Sequence, residues 1–330
     1  MSVVAECLST IRLGEPQRYQ NLSIFPLLGE ADNAPEYLLL DEALAQGCVR
    51  VTEVSEGGSV PELTLVNDCA RPVLLLDGEE LVGAKQNRIL NLTVLVAART
   101  TTVIPVSCVE AGRWHHTSPA FGSSGRTHYA SGRAQKAASV SMSLRSDGSR
   151  HSDQRAVWAD IAEKSARMRA HSATGAAAAL YETHRGSLEA YLGAFAPAGA
   201  QAGALFAING RVVGLDLFDS PATLTQVLPK LVRSYALDAL DEGEHPGEPA
   251  RFDAERLLEQ TKEARIERFP AVGRGEDLRL SAPTLTGAAL VVDGRVVHLC
   301  AFGLHGVPGE GAETGTRLAR ASRRGWGRVL

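Results

Sequence analysis

Two segments, Gly203–Phe218 (GALFAINGRVVGLDLF) and Gly287–Phe302 (GAALVVDGRVVHLCAF), carry one pattern in one register. Asn209–Gly210 and Asp293–Gly294 interrupt apolar, partly β-branched runs. Such a pair supplies the two left-handed residues that a two-residue hairpin turn requires. Each segment is therefore constrained to be an antiparallel hairpin. Identical residues recur at Gly203/Gly287, Ala204/Ala288, Gly210/Gly294, Arg211/Arg295, Val212/Val296, Val213/Val297, Leu215/Leu299 and Phe218/Phe302. Duplication and convergence on one turn chemistry explain this equally well. Either way, the hairpins point to strands of a shared sheet with helices packed on one face.

Helices are legible around the hairpins. Ser152 or Asp153 caps a helix running to about Ala170, with Val157, Ile161 and Met168 on one stripe. Ala176–Phe195 reads as helical with a break near Thr183–Gly186. Ser220 followed by Pro221 is a strong helix start. Leu224, Val227, Leu228, Leu231 and Tyr235 form the buried stripe of that helix, with Lys230 and Arg233 off it. Asp253–Glu267 is a further helix.

The first hundred residues read as short strands: Leu22–Leu28, Tyr37–Leu40, Cys48–Val54, Leu63–Asn67, Val73–Leu76, Ile89–Val96 and Thr101–Val106. Asp32, Asn33 and Pro35 mark a turn, and Asp41–Gln46 makes one helical turn. Along Cys48–Val54 the alternation puts Val49, Val51 and Glu53 on one face. Short strands separated by Gly, Pro, Asn and Asp point to a β-sandwich or barrel-like core.

Between the strands and the helices, residues 117–151 are rich in Ser, Gly, Ala and Arg. Arg126, Arg133, Lys136, Arg145, Arg150 and Arg155 outnumber Asp147 and Asp153 across 117–155. This reads as a solvated flap or linker, basic enough to meet a phosphate or carboxylate. The fold class is α+β. Residues 1–116 form a β-rich sandwich or barrel-like part, 117–151 a flap, and 152–330 helices with antiparallel hairpins that share or abut the sheet. Gly306–Leu330 reads as loosely held.

The chain has 330 residues and a net charge of -4. No nucleic-acid partner is expected from that balance. No apolar run is long enough to span a membrane, and the start lacks a secretion signal. Cys7, Cys48, Cys69, Cys108 and Cys300 are odd in number, widely spaced and without a CxxC pair. Neither a disulfide framework nor a structural zinc site is expected, and a reducing cytoplasm is the default. The phosphate-loop, dinucleotide and serine-hydrolase signatures are absent.

Chemistry concentrates in Arg71–Trp114 (RPVLLLDGEELVGAKQNRILNLTVLVAARTTTVIPVSCVEAGRW). A thiol becomes nucleophilic beside a cation or base. Cys108 with Lys85 as activator and Glu80 or Glu110 as base suits a thiol hydrolase. The blander reading is a buried Cys108 acting as a small hydrophobe. Arginine forks hold phosphate or carboxylate, and an indole face stacks on planar groups. Lys85, Arg88, Asn91, Glu110, Arg113 and Trp114 therefore suit a small anionic ligand. The structural reading is a Glu110–Arg113 or Glu80–Arg88 ion pair that holds a loop. Asp216 and Asp219 stabilise a helix start or act as catalytic carboxylates. The histidines show no HxH or HExxH spacing, and no metal site is expected.

The blocks LLLDGEELVGAKQNRILN, IPVSCVEAGRW, NGRVVGLDLFDSP and LPKLVRSYALDAL resemble a bacterial domain family. The family is named for its association with ADP-ribosylglycohydrolase and rhodanese-phosphatase genes. The resemblance spans about Ser9 to Leu304. It implies no particular activity; its name implies a neighbourhood of ADP-ribose or phosphoester metabolism. Three functions follow as expectations. The first is binding of a small anionic ligand, nucleotide or ADP-ribose-like. The second is thiol-dependent hydrolysis at Cys108. The third is a structural role in a homo-oligomer or with a protein partner.

Overall fold

The computed structural model describes residues 1–29, 34–245 and 247–304. The expected turn residues Asp32 and Asn33 and the stretch 306–330 lie outside them. The first elements are α1 (Val3–Ser9), β1 (Arg12–Leu13), β2 (Gln17–Tyr19), β3 (Leu22–Leu28), β4 (Leu38–Leu39), α2 (Leu40–Ala45), β5 (Val49–Glu53) and β6 (Glu62–Asn67). Next come β7 (Val73–Leu75), β8 (Glu79–Gly83), β9 (Arg88–Leu90), β10 (Val94–Val96), β11 (Thr100–Cys108) and β12 (Phe121–Thr127). The helices α3 (Ala130–Ser146), α4 (Gln154–Arg167), α5 (Ala178–Thr183) and α6 (Arg185–Ala194) follow. The chain continues with β13 (Gln201–Ile208), β14 (Arg211–Phe218), α7 (Pro221–Glu242), α8 (Arg251–Glu263), β15 (Arg265–Pro270), β16 (Glu276–Ala282), β17 (Leu285–Val292) and β18 (Arg295–Gly303).

Six strands close a barrel in the order β11-β6-β5-β12-β8-β9, and each neighbouring pair is antiparallel. Val51, Leu63, Leu65, Leu81, Leu90, Ile104, Val106 and Phe121 fill it. The fold is α+β, with a closed barrel in its β-rich first part. The expected strand Ile89–Val96 is two strands. β9 belongs to the barrel, and β10 joins β7 and β4 in a small separate sheet. β8 was not expected, because two glutamates open it.

Among the described residues, the remaining nine strands form one sheet, β1-β3-β13-β14-β18-β17-β16-β15, with β2 paired to β3. β3 lies against β13 from Leu28↔Gln201 to Leu22↔Ile208, so the first and last parts of the chain share this sheet. The two hairpins are its centre, joined through β14 and β18 with Asp216 opposite Cys300. Their turns are as expected: Asn209 and Gly210 have φ 51 and 79°, Asp293 and Gly294 φ 50 and 77°.

The expectation of helices on one face is corrected. α7 and α6 cover one face, packing Leu224, Leu231, Tyr235 and Tyr191 with Phe206, Phe218 and Phe302. α1 and α8 cover the other, packing Val4, Leu8, Leu257 and Leu258 with Leu205, Leu215 and Leu299. β13 is buried at every position, which is why its sequence after Gln201 is apolar rather than alternating. α7 begins as expected, with the Ser220 Oγ accepting from Ala222 N at 3.2 Å. Each large side chain on its stripe stabilises by about 1.5–3 kcal/mol on burial. Lys230, read as off the stripe, is buried against Glu79 (2.5 Å) and Asp41 (2.7 Å).

Residues 117–151 are no flap. β12 is a barrel strand, and α3 is wedged into the molecule with Arg133 and Lys136 buried. Small residues let α3 approach its neighbours closely, and its cations are matched by carboxylates distant in sequence. Cys48 and Cys69, expected free, form a disulfide with Cα atoms 5.0 Å apart. The β5–β6 ladder sets Val49 opposite Asn67 and so brings the two cysteines together. Among the described residues, no helix is long and apolar enough to cross a membrane.

Candidate functional site at the barrel mouth

Barrel register places Leu81, Arg88 and Cys108 side by side on β8, β9 and β11. Side chains alternate along a strand, so Arg88 and Cys108 share the face of Leu90 and Val106. They close one end of the barrel core. The Cys108 backbone is held by Gln154 at the start of α4, which accepts from Cys108 N (2.7 Å) and donates to Cys108 O (2.8 Å). The amide takes over where β6 no longer pairs with β11.

Arg88 is 0% exposed. Its Nη1 donates to Gln86 Oε1 at 2.7 Å. Its Nε and Nη2 make no hydrogen bond among the described residues. These two N–H groups form the side-on edge of the guanidinium, the edge that grips a carboxylate or phosphate with two parallel bonds. Burial lowers the Arg88 pKa, and Cys108 and Glu53 oppose that shift. A guanidinium stays charged regardless, so a cation with a free edge is held out of water here.

Trp114, 48% exposed, lies over this cation, with its ring centroid 5.7 Å from Arg88 Cζ and 5.3 Å from Lys85 Nζ. Lys85 Nζ donates to Glu56 O and Gly57 O, each at 2.6 Å. Glu53, at the end of β5, accepts from Lys85 N through Oε1 at 3.3 Å. Its buried Oε2 has no partner among the described residues.

The Cys108 thiol donates to Glu110 O and accepts from Glu110 N, both at 3.4 Å. Burial raises its pKa; the Glu110 N–H, Arg88 and the Trp158 indole pull the other way without prevailing. Arg88, not Lys85, is therefore the cation set against the sulfur.

The other expected site residues have structural partners. Arg113 donates to Glu110 Oε2 (2.8 Å), Ala84 O (2.8 Å), Asn87 Oδ1 (3.0 Å) and Thr117 Oγ1 (3.2 Å). The Glu110 carboxylate also accepts from Thr174 Oγ1 (2.8 Å) and Asn87 N (3.2 Å). Burial pushes Glu110 up, but these bonds outweigh it and hold its pKa below the usual carboxylate range. Arg113 and Glu110 thus staple the loop that carries Trp114. Glu80 pairs with Arg126 at 3.2 Å rather than with Arg88, and burial raises its pKa. Asn91 accepts from Ser107 Oγ (2.5 Å) and donates to Arg150 O (2.9 Å), away from the Trp114 cluster. The structure thus brings together Lys85, Arg88, Cys108 and Trp114, and adds Glu53 and Trp158. Glu53 had a signal in its alternation with Val49 and Val51; Trp158 had none.

A second polar cluster lies where α3 meets the sheet. Arg133 Nη2 bonds Asp77 Oδ1 (2.7 Å) and Asp216 Oδ1 (2.6 Å), and Arg133 Nη1 bonds Asp216 Oδ2 (3.2 Å). His298 Nε2 is 3.2 Å from Asp216 Oδ1, and its Nδ1 is 2.8 Å from Thr93 Oγ1. Lys136 Nζ donates to Leu90 O and stands 3.7 Å from Asp77. Asp77, Asp216 and His298 are near enough to share a metal ion, but Arg133 already supplies the positive charge between the carboxylates. A cavity of about 10 Å³ beside them, lined in part by Asp277, Arg279 and Cys300, has room for one water. Asp216 is thus part of an interior ion network, and Asp219 accepts from Tyr37 Oη at 2.6 Å.

A family described as ARPP-1, the ARG and Rhodanese-Phosphatase-superfamily-associated Protein domain, matches residues 10–302. No curated protein and no solved structure matches the chain.

Proposed function

Because the chain belongs to the ARPP-1 domain family, whose description states no reaction, we propose from the geometry that the barrel mouth binds a small anionic ligand. One observation carries this reading: the buried Arg88 presents Nε and Nη2 without an acceptor. Leaving charged donors unpaired inside a protein costs several kcal/mol, on the order of what a paired ion loses when its partner is removed. A carboxylate or phosphate oxygen pair at this edge would recover that cost. Trp114 offers a half-exposed face to a planar part of the ligand, which suits a nucleotide or an ADP-ribose-like molecule. Lys85 adds positive charge beside the same ring.

The thiol-hydrolase reading has less support. Cys108 is fully buried with its pKa raised, Glu80 is tied to Arg126, and the Glu110 carboxylate is tied to Arg113 and Thr174. Both expected bases are thus engaged by a cation, Glu80 by Arg126 and Glu110 by Arg113.

The test is thermal shift followed by calorimetry against phosphate, carboxylates, mononucleotides and ADP-ribose. A ligand in hundredfold excess over its Kd stabilises by about 2.7 kcal/mol. The gain should appear in the native protein, shrink in Trp114→Ala and vanish in Arg88→Met. A gain retained in Arg88→Met would place the anion elsewhere.

A further inference from the structure

Around the Cys108 sulfur, donors outnumber acceptors. Arg88, its neighbour across the β9–β11 ladder, and the Trp158 indole both act on it, and Arg88 Nε, Arg88 Nη2 and Trp158 Nε1 have no other acceptor among the described residues. Glu110 N also donates to it, at 3.4 Å. A thiol sulfur is a weak acceptor and cannot satisfy four N–H groups. We propose that Cys108 is a site of oxidation by hydrogen peroxide, and that its sulfinate is held by the side-on edge of Arg88 and the Trp158 N–H. A sulfinate carries two oxygens and one negative charge, which is what this donor set lacks. The fork geometry that suits a carboxylate suits its two oxygens equally.

The chemistry balances. The sulfur attacks one peroxide oxygen, the O–O bond breaks, and the departing hydroxide takes the thiol proton as water. The sulfenic acid repeats the step with a second peroxide, giving sulfinate, water and a proton. Each step oxidises sulfur by two electrons and reduces one peroxide. The burial of Cys108 makes the first step slow, and the fixed donors make the product persistent.

The inference goes beyond the binding reading and does not depend on it. The two draw on one guanidinium edge, so sulfinate and anion exclude each other.

Peptide mass spectrometry of the folded protein under hydrogen peroxide tests it. Cys300 is the internal reference. It is equally buried, but its neighbouring cation Arg133 is fully paired with Asp77 and Asp216. Cys108 should accumulate two oxygens while Cys300 stays reduced. Arg88→Lys keeps the charge and loses the fork, and should lower the sulfinate yield about tenfold, the worth of one charge-assisted hydrogen bond. Trp158→Phe should lower it less. Cys108 remaining reduced while the part-exposed Cys7 oxidises would overturn the proposal, as would an unchanged yield in both variants. If Arg88→Lys does not fold, the selectivity of native Cys108 over Cys300 and the Trp158→Phe yield still decide. A sulfinate that forms in a protein showing no anion-dependent stabilisation would sink the binding reading alone.

Discussion

Arg88 and Arg133 are both 0% exposed, yet their surroundings are opposite. Arg133 sits between Asp77 and Asp216, with bonds of 2.7 and 2.6 Å from one nitrogen. Burial works to lower its pKa, and the two carboxylates reverse that and raise it well above the ordinary value. Arg88 has one neutral partner, Gln86, and burial prevails. A buried charge with all its partners ties elements together; here α3, β8's leading turn and β14 meet at one guanidinium. A buried charge with two donors left without an acceptor does not help the fold, and its presence calls for another explanation. The pairing of a buried arginine, more than its burial, separates scaffold from site.

The largest contrast comes from deleting each cation. Arg133→Met leaves two buried carboxylates without the cation they share, and should cost about 3–5 kcal/mol in urea unfolding, enough to prevent folding of a marginal protein. Next, Arg113→Ala removes the staple of the Trp114 loop and leaves the Glu110 carboxylate without its cation. It should cost about 2–3 kcal/mol, which would sharpen the division of the notional pocket into structural Arg113 and free Arg88. A smaller loss would return Arg113 to the ligand site.

Acid probes the paired region without mutation. Burial pushes Asp77 and Asp216 up, but Arg133 outweighs it, and both are held below the usual carboxylate range. They bind protons more weakly folded than unfolded. Their contribution is therefore complete above about pH 4 and is lost as pH falls through the folded values, on the order of 2 kcal/mol. At the alkaline end, burial pulls Lys136 down to about 8. Between there and about pH 10.4 the unfolded chain holds a proton that the folded chain has released. The Lys136 contribution rises with pH across that window, while the buried Cys108 and Cys300 thiols, raised by burial, contribute a fall, so the stability of the native protein relative to Lys136→Met should rise with pH. A flat native profile at the acid end, or an unchanging difference between the native protein and Lys136→Met at the alkaline end, would break the contrast. The smallest effect belongs to Trp114→Ala: a stability change within about 0.5 kcal/mol and an affinity loss of about 0.5–2 kcal/mol.

Local chemistry was legible in the sequence wherever a few adjacent residues decide the structure. Asn209–Gly210 and Asp293–Gly294 fixed the hairpins, and Ser220–Pro221 fixed the start of α7. Asp153 capped α4 by accepting from Arg155 N and Ala156 N. What stayed hidden depends on partners far along the chain. Arg133 and Asp216 are 83 residues apart, so a basic, serine-rich stretch passed for a solvated flap. β8 was masked because Glu79 and Glu80 are buried by Lys230 and Arg126. The site was half visible. Arg88, Cys108, Lys85 and Trp114 lie in one stretch, whereas nothing near Trp158 in sequence connects it with Cys108.

The central claim is that Arg88 is held for a ligand and not for the fold. The most direct test is the urea stability of Arg88→Met beside the native protein, with and without phosphate. With the buried unpaired charge gone, the variant should be at least as stable as the native protein without phosphate and should gain nothing when it is added. A loss of several kcal/mol that phosphate leaves unchanged would make Arg88 a structural residue and contradict the account.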